Sequence, residues 1–493
     1  MNITKTHHID NTALLFMLIA PATIVFYASY VYNPVNAGNL YLYVLQLIAD
    51  TIAIIIVGSL WLTILLDLIQ PEYHKRVIKS DKTWLTKARP TVDILIPTAN
   101  EPFDIVSATV KAAAAIEYTH KKIYVLDDGN SPQIKALAKS LKLHYITRDS
   151  RFMAKSGNLN NALSLCKGEF FAVFDADHTP KKEFLTELLP FFQNENVALV
   201  QTPQHYTNTN NFIASGTAQA QELFYKYVQP AKNSYNAAFC VGTNMIYRRS
   251  AIDDIGGIAL LDHSEDIWTT ILLHEKKYDS IFYNKVLASG RAPETIRAFF
   301  RQQNRWARGG FSLFFQHNPL FISELNIDQR LQYFFSNIHY FSGFAILLYL
   351  ILPIIYLLFG VHPMNIAHNN NWLIHYLPYF ISVYFLPLFL LGEFRFATIG
   401  ISIASFSPYL SAFFSTILKS NQKWVATESS QTRPTPVMVT IWPQVFIIIL
   451  SLLSVLVGWY NVSDFGTTLV TTFWVLANAS VLFLFIKNGL KSN

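Results

Sequence analysis

Two hydrophobic patterns divide the chain. No Asp, Glu, Lys or Arg occurs from Asn11 to Ala49 or from Leu331 to Gly392. The second of these runs is long enough for two membrane crossings and a loop. Between them, short apolar runs alternate with stretches of helical periodicity, the pattern of strands interleaved with helices. Six spans are predicted: Ala13–Tyr32, Tyr43–Leu66, Tyr333–Phe359, Trp372–Leu391, Val439–Tyr460 and Thr468–Ile486. Each can cross a hydrocarbon core of about 30 Å. The chain therefore divides into two spans (1–66), a polar insert with membrane-proximal helices (67–332), two spans (333–392), an amphipathic connection (393–438) and two final spans with a short tail (439–493).

Composition agrees. Apolar residues make up 52% of the 493 and charged residues only 14%, against about 25% charged in soluble domains. An ordinary soluble enzyme, a coiled coil and a disordered chain are all excluded. The net charge of +6 is mild and is expected on membrane-flanking loops, so no nucleic-acid partner is expected. Lys75, Arg76, Lys79, Lys82, Lys87 and Arg89 follow the second span, whereas Asn33–Asn39 and Gly360–Asn371 carry no charge. The positive-inside rule then puts the insert and both termini in the cytoplasm. The first apolar run lacks a basic flank and a cleavage site, so a retained span is expected rather than a signal peptide. Asp50, inside the second span, either sits at headgroup level or faces a pore. Phe396–Leu418 is charge-free but rich in Ser and Thr; it reads as a helix on the cytoplasmic membrane surface. Cys166 and Cys240, the two cysteines, form no CxxC pair, which argues against a disulfide scaffold and a thiolate zinc site.

In the insert, strands are predicted at Thr91–Pro97, Ile123–Leu126, Leu143–Thr147, Phe170–Phe174 and Ala198–Gln201. Helices are predicted at Pro102–Ala115, Ile134–Leu141 and Asn160–Leu165. Such alternation implies a mostly parallel sheet covered on both faces, with ligands beyond the carboxyl ends of the strands. Acidic groups stand at those ends. Asp175 and Asp177, two apart after an apolar strand, can converge on one Mg²⁺ or Mn²⁺, hard cations that take oxygen ligands and bridge phosphates. Asp127 and Asp128 end a neighbouring strand, where either could hold a nucleotide or simply cap the turn. Lys155 lies in a loop entering a helix. Arg301, Arg305 and Arg308 share a helical face that suits a diphosphate or a membrane surface, and Trp306 beside them suits a sugar face. Asp266 opens an apolar helix. It is either a cap or the general base that a sugar hydroxyl needs to become a nucleophile, with Glu265 orienting it.

The words PTANE (97–101), LDDG (126–129), AKSGNLNNAL (154–163), FDADHTP (174–180), VQTPQHY (200–206), AAFCVGTN (237–244), SED (264–266) and QQNRW (302–306) together resemble those of processive family-2 glycosyltransferases, and most of all bacterial cellulose synthase catalytic subunits and their relatives. The resemblance spans about residues 88–310 closely and the six-span frame more loosely. It implies a multi-span α-helical membrane protein with a cytoplasmic α/β, Rossmann-like GT-A domain in the inner membrane. It also implies inverting, processive transfer of glucose from UDP-glucose to the non-reducing end of a β-glucan, with β-1,4 linkage favoured, coupled to export. In that frame Thr98, Glu101, Asp128, Lys155, Asp175 and Arg305 would hold the donor. Asp175, Asp177 and His178 would hold Mg²⁺ or Mn²⁺, and Asp266 would be the base. Cys240, Gly242, Thr243 and Trp306 would meet the acceptor. The implied partners are a UDP-sugar, a growing polysaccharide, the lipid bilayer and an export or cell-envelope protein. The alternatives are a synthase of β-1,3-glucan, mannan or an N-acetylglucosamine polymer, and beyond those a transporter or a non-catalytic scaffold.

Two departures stand out. The family's gating loop would correspond to Lys423–Ser429, where Trp424 and Thr427 keep the aromatic-to-Thr spacing but Glu428 precedes Ser429 in place of a Lys. With only Lys487–Asn493 after the last span, a cyclic-di-GMP-binding PilZ domain is not expected in this chain.

Overall fold

The structure, a computed structural model, describes residues 11–69, 82–261, 264–365, 369–419, 436–462 and 464–491. Nine strands are present among them: β1 (Val92–Thr98), β2 (Lys121–Asp127), β3 (His144–Ile146), β4 (Phe170–Val173), β5 (Thr179–Pro180), β6 (Val197–Gln201), β7 (Met245–Arg248), β8 (Asp279–Phe282) and β9 (Ala288–Ser289). Seven form one sheet in the order β3-β2-β1-β4-β7-β6-β8, and β5 pairs with β9 separately. β1 runs parallel to β2 and β4, with Val92 opposite Lys121 and Thr98 opposite Asp127. β7 is antiparallel to both neighbours, β4 and β6, while β6 and β8 are parallel.

β1 reads as a continuous apolar run because both of its faces are covered. Successive side chains point to opposite faces. Ile94 and Ile96 enter one core with Val106 and Val110 of helix Phe103–Ala114. Leu95 enters the other with Leu159, Ala162 and Leu163 of helix Ala154–Leu165. The predicted parallel half is thus present. β7 and β8, only four residues each, add the antiparallel and outer strands that periodicity did not reveal.

Five helices among the described residues are long and apolar enough to cross a membrane: Leu40–Leu65, Ile327–Phe359, Phe396–Ile417, Val437–Tyr460 and Phe465–Leu490. Asn11–Val31 and Asn369–Leu391 are helical and pack on each other. The third predicted span continues upstream into helix Ile327–Ile338, which leaves the polar domain and joins helix Ser342–Phe359 through a tighter 3-10 turn at His339–Phe341. Phe396–Ile417 is two helices meeting at Ser405. Its mean hydropathy of 1.3 is the lowest of the five and half of it is buried in protein. Thr398 Oγ1 donates to Gln219 Oε1 (2.6 Å), Asn304 Nδ2 to the Pro408 carbonyl (3.0 Å) and Tyr409 to Gln303 Oε1 (3.0 Å). Gly343 admits the Tyr409 side chain, whose Cβ would stand 2.8 Å from a Cβ at 343. The pair is therefore wedged between the polar domain and the helix that enters the membrane. Asp50 is buried, and both carboxylate oxygens are engaged, by Gln46 Nε2 (2.8 Å) and by Tyr349 of the neighbouring helix (2.7 Å). An isolated charge in a membrane bundle is costly, and such pairing offsets part of that cost.

Candidate active site

The carboxyl ends of β1, β2 and β4 converge because the strands are parallel and adjacent. After β1, Glu101 folds back so that its carboxylate accepts from Thr98 Oγ1 (3.0 Å) and Ala99 N (2.5 Å). Burial raises its pKa against those hydrogen bonds.

After β2 the two aspartates separate in role. Asp127 is fully buried and accepts from Gly129 N, Ser131 N and the Tyr145 hydroxyl, each at 2.8 Å. It builds the turn into helix Pro132–Ser140. Asp128 receives two parallel bonds from Arg148, from Nε (2.8 Å) and Nη2 (2.7 Å), the planar fork that guanidinium offers a carboxylate. Arg148 also donates to the Phe152 (2.8 Å) and Ala154 (2.5 Å) carbonyls, fixing the loop before helix Ala154–Leu165. Met153 and Ala154 take left-handed backbone angles there. The helix starts at Ala154 rather than Asn160, and Lys155 lies in its first turn instead of a loop.

Lys155 joins the halves of the site. Its Nζ pairs with Asp175 Oδ1 and donates to the Gly242 carbonyl (2.6 Å). Burial works to lower its pKa, but Asp175 and Glu265 outweigh that and hold it above the usual value. Gly242 has φ +87°, and a Cβ on it would stand 3.3 Å from Asp266 Oδ2 and 3.4 Å from Lys155 Nζ. Glycine is thus favoured by conformation, and it leaves the space between Asp266 and Lys155 open. Asp266 accepts from Ile267 N (2.8 Å). Burial, and then neighbouring Glu265, push its pKa up to about 7.

The acidic turn after β4 brings ligand atoms of Asp175, Asp177 and His178 within 4.8 Å of one another. His178 Nδ1 meets Asp177 Oδ1 at 2.7 Å, while its Nε2 is buried without a hydrogen-bond partner. Burial opposes both charges, yet the pair wins: Asp177 lies below its usual pKa and His178 above it. A Cβ at Gly290 would fall 2.3 Å from His178 Nε2, so the imidazole needs glycine there. Two oxygens and an imidazole on one partly exposed rim fit a hard divalent cation.

Thr243, fully buried, accepts from the Asp175 N–H through Oγ1 (2.9 Å). Gln201 holds the same loop, accepting from Val241 N (3.0 Å) and donating to the Thr243 carbonyl (2.8 Å). Cys240 is also fully buried; its sulfur accepts from Gly242 N (3.3 Å), and burial pushes its thiol pKa up. Arg305 and Trp306 are half-buried on helix Ile296–Gln316, Arg308 likewise, and Arg301 is exposed. Burial raises the pKa of the Tyr206 hydroxyl; Asp177 and Asp175 add to that and Arg305 opposes it. Trp424 and Thr427 lie outside the described residues.

Sequence reasoning missed Arg148, Tyr206, Gln201 and Gly290. Arg148 had a signal: a basic residue just past β3, beside the strand that ends in the acidic pair. The others act through partners distant in sequence.

Comparisons with known proteins match the stretch of chain that holds these residues. Residues 93–256 match the model of glycosyl transferase family 2 and residues 253–406 that of cellulose synthase. The chain is 36% identical over 279 residues to the cellulose synthase catalytic subunit [UDP-forming] of Pseudomonas fluorescens (strain SBW25), covering 55% of this chain and 38% of that protein. It is 34% identical over 262 residues to the protein of the same name from Xanthomonas axonopodis pv. citri (strain 306), covering 52% and 36%. The chain thus spans little more than a third of the length of these curated relatives. Among solved structures, the mannosyltransferase of Pyrobaculum calidifontis in complex with GDP-Man and Mn²⁺ superposes with a TM-score of 0.55 at 14% identity, over 76% of this chain and all of that one. That likeness is one of fold. Two stretches of the chain thus match the glycosyl transferase family 2 and cellulose synthase models, on a GT-A fold joined to membrane-length apolar helices.

Proposed function

We propose that the protein is a membrane-embedded, inverting glycosyltransferase that extends a polysaccharide from a UDP-sugar, with glucose as the sugar, β-1,4 as the linkage and the inner membrane as its site. One observation carries the reading. A buried carboxylate with pKa near 7 stands across an open glycine from a lysine that is itself paired with Asp175, one of the candidate metal ligands. That arrangement supports Asp266 as the base for an attacking hydroxyl, with cations nearby for a departing diphosphate.

Asp266 takes the proton from the acceptor hydroxyl as its oxygen attacks the anomeric carbon. The bond to UDP breaks on the opposite face, and the product inverts with no sugar–enzyme bond. Lys155 and Arg305 receive the charge that accumulates on UDP. A divalent cation held by Asp175, Asp177 and His178 would add Lewis-acid stabilisation of the diphosphate. Thr98, Glu101 and Asp128, locked by Arg148, bound the donor side. Gly242 bounds the acceptor side, and Thr243 and Cys240 support that loop from behind. Trp306 supplies a ring for the terminal sugar. The bundle carries the product outward from a cytoplasmic domain, with both termini cytoplasmic, and Phe396–Ile417 is the platform between the two. The fit of the 36% identical relative, named as UDP-forming, supports the uridine donor.

The test is a competition among UDP-glucose, UDP-N-acetylglucosamine and GDP-mannose with protein in nanodiscs and Mn²⁺, followed by linkage analysis. UDP release from UDP-glucose with β-1,4 product is expected. Exclusive use of GDP-mannose would overturn the donor assignment.

A further inference from the structure

The helix that runs into the membrane turns an unusually polar face toward the acceptor loop. Gln329, Gln332 and Tyr333, at i, i+3 and i+4, share one helical face, and all three are buried. Gln329 Nε2 donates to the Asn236 carbonyl (2.8 Å). Gln332 receives Lys232 Nζ on its carbonyl (2.5 Å) and on Oε1 (3.1 Å), and its Oε1 also accepts from Thr63 of the second predicted span (3.2 Å). Tyr333 meets His274 Nδ1 at 2.9 Å, His274 Nε2 meets Ser280 Oγ at 3.0 Å, and Ser280 Oγ donates to the Ala238 carbonyl (2.5 Å).

The direction of this chain is fixed by its ends. Burial pushes the His274 pKa down to about 3, so the ring is neutral with one N–H. The Ser280 proton is spent on Ala238, so Ser280 accepts from Nε2–H. Nδ1 is therefore the acceptor of the Tyr333 proton. Every member is satisfied once, and removing the Tyr333 hydroxyl strands a buried acceptor. The two ends of the chain matter. His274 sits on helix Glu265–Glu275, whose first turn carries Asp266. Ala238 and Asn236 lead into the loop that presents Gly242 and Thr243. Phe239 and Ile271 pack with Tyr333 in one apolar cluster behind the chain.

We propose that Tyr333 and His274 are positioning residues that lock the base-bearing helix and the acceptor loop to the helix entering the membrane, so that the acceptor end stays in register with its membrane path between transfers. The inference rests on the polymerising function proposed above. It concerns retention of the chain, not the transfer step, and so separates from an effect on the base. Losing the lock lets the acceptor end leave more often per transfer, while each transfer proceeds much as before.

The test uses the whole protein in nanodiscs with UDP-glucose and Mn²⁺, reading UDP release, donor KM and polymer length. Tyr333→Phe keeps the ring and its packing. Its product should be shorter by about threefold or more, with kcat for UDP release within about twofold and donor KM unchanged. A merely structural loss would lower the active fraction and leave length alone. Gln329→Leu, which removes the Asn236 bond and the helix-capping bond from Asn326 N but leaves the His274 chain intact, should shorten the product too and serves if Tyr333→Phe fails to assemble. Tyr333→Phe and His274→Asn should be non-additive in length, as members of one chain. Wild-type polymer length in both Tyr333→Phe and Gln329→Leu overturns the inference alone. A wild type that releases no nucleotide from any of the three donors overturns the functional reading and this inference with it.

Discussion

Gly309 offers the sharpest test of how the base is held. It lies inside helix Ile296–Gln316, where alanine should gain up to about 1 kcal/mol of helix propensity over glycine. Packing argues the other way. A Cβ at 309 would fall 1.8 Å from Ser264 Oγ, 3.0 Å from Ser264 Cβ and 3.3 Å from Ser264 N. The hydroxyl can rotate clear, but Cβ and N cannot, so the backbone at 264 must give by a few tenths of an ångström. Ser264 already sits at φ +63°, a region that is costly for a residue with a Cβ. It is followed directly by Glu265 and Asp266, so the shift passes to the base. A misplacement of about 1 Å can cost about 10²-fold in rate, so a few tenths should cost roughly tenfold. The expected result for Gly309→Ala is about a tenfold fall in kcat for UDP release, with the melting temperature near that of the wild type. Ser264→Gly removes Oγ and Cβ, leaves only the 3.3 Å approach of N, and suits the positive φ, so the double variant should recover most of the lost rate. Wild-type kcat in Gly309→Ala, or no recovery in the double variant, would refute the argument.

Four further outcomes rest on the same geometry. With its pKa raised to about 7, Asp266 is the active base only when ionised, so kcat/KM should rise with pH and level off above about 7; a profile flat from pH 5 to 8 would contradict the assignment. The stability sign is opposite, because a carboxyl whose folded pKa exceeds its unfolded value of 3.8 loses stability as pH climbs between the two. Asp266→Asn should therefore abolish turnover, keep UDP binding, and melt above the wild type at pH 8 but not at pH 4. Arg148→Met leaves the Asp128 carboxylate, 6% exposed, without its fork and should cost about 3–5 kcal/mol, measured by thermal or denaturant unfolding. Asp177→Ala should weaken Mn²⁺ binding in calorimetry and EDTA should stop wild-type turnover; unchanged Mn²⁺ affinity would remove Asp177 from the metal site.

The legible part of the fold was the part governed by local pattern. β1, β2 and β4 are buried on both faces, and such strands appear as uninterrupted apolar runs. β7 and β8 do not. Met245–Arg248 ends in an arginine whose guanidinium caps the Val197 (2.9 Å) and Phe192 (2.7 Å) carbonyls. Asp279–Phe282 begins with a carboxylate and a serine that serve Asn236 and His274. Their strand character depends on neighbours β4 and β6, not on their own residues. The connection Phe396–Ile417 is ambiguous for a related reason. Length and hydropathy allow a span, but half of its surface is taken by the polar domain and the helices around it, and no local pattern records which solvent a helix face meets.

The site divides along the same line. Asp127 and Asp128 are adjacent and identical in type, yet one is consumed by three donors of its own turn and the other is held outward by an arginine twenty positions on. Both belong to one word of sequence, so the word marks the place without separating the roles. Cys240 and Thr243 show this again: a loop reads as acceptor-facing, while the side chains turn inward to hold Gly242 and the Asp175 amide. The residues with no word at all are those whose meaning lies in a partner. Gly290 matters because His178 needs its space, and Gly309 because Ser264 does. Glycine within a helix is unfavourable by about 1 kcal/mol, so Gly309 and Gly310 did carry a mark of close approach, but nothing in the sequence names what approaches. A GT-A site on a membrane scaffold is thus readable at the strand ends, where topology gathers chemistry, and unreadable in the supports, where single atoms from distant segments decide whether the base and the cations face one another.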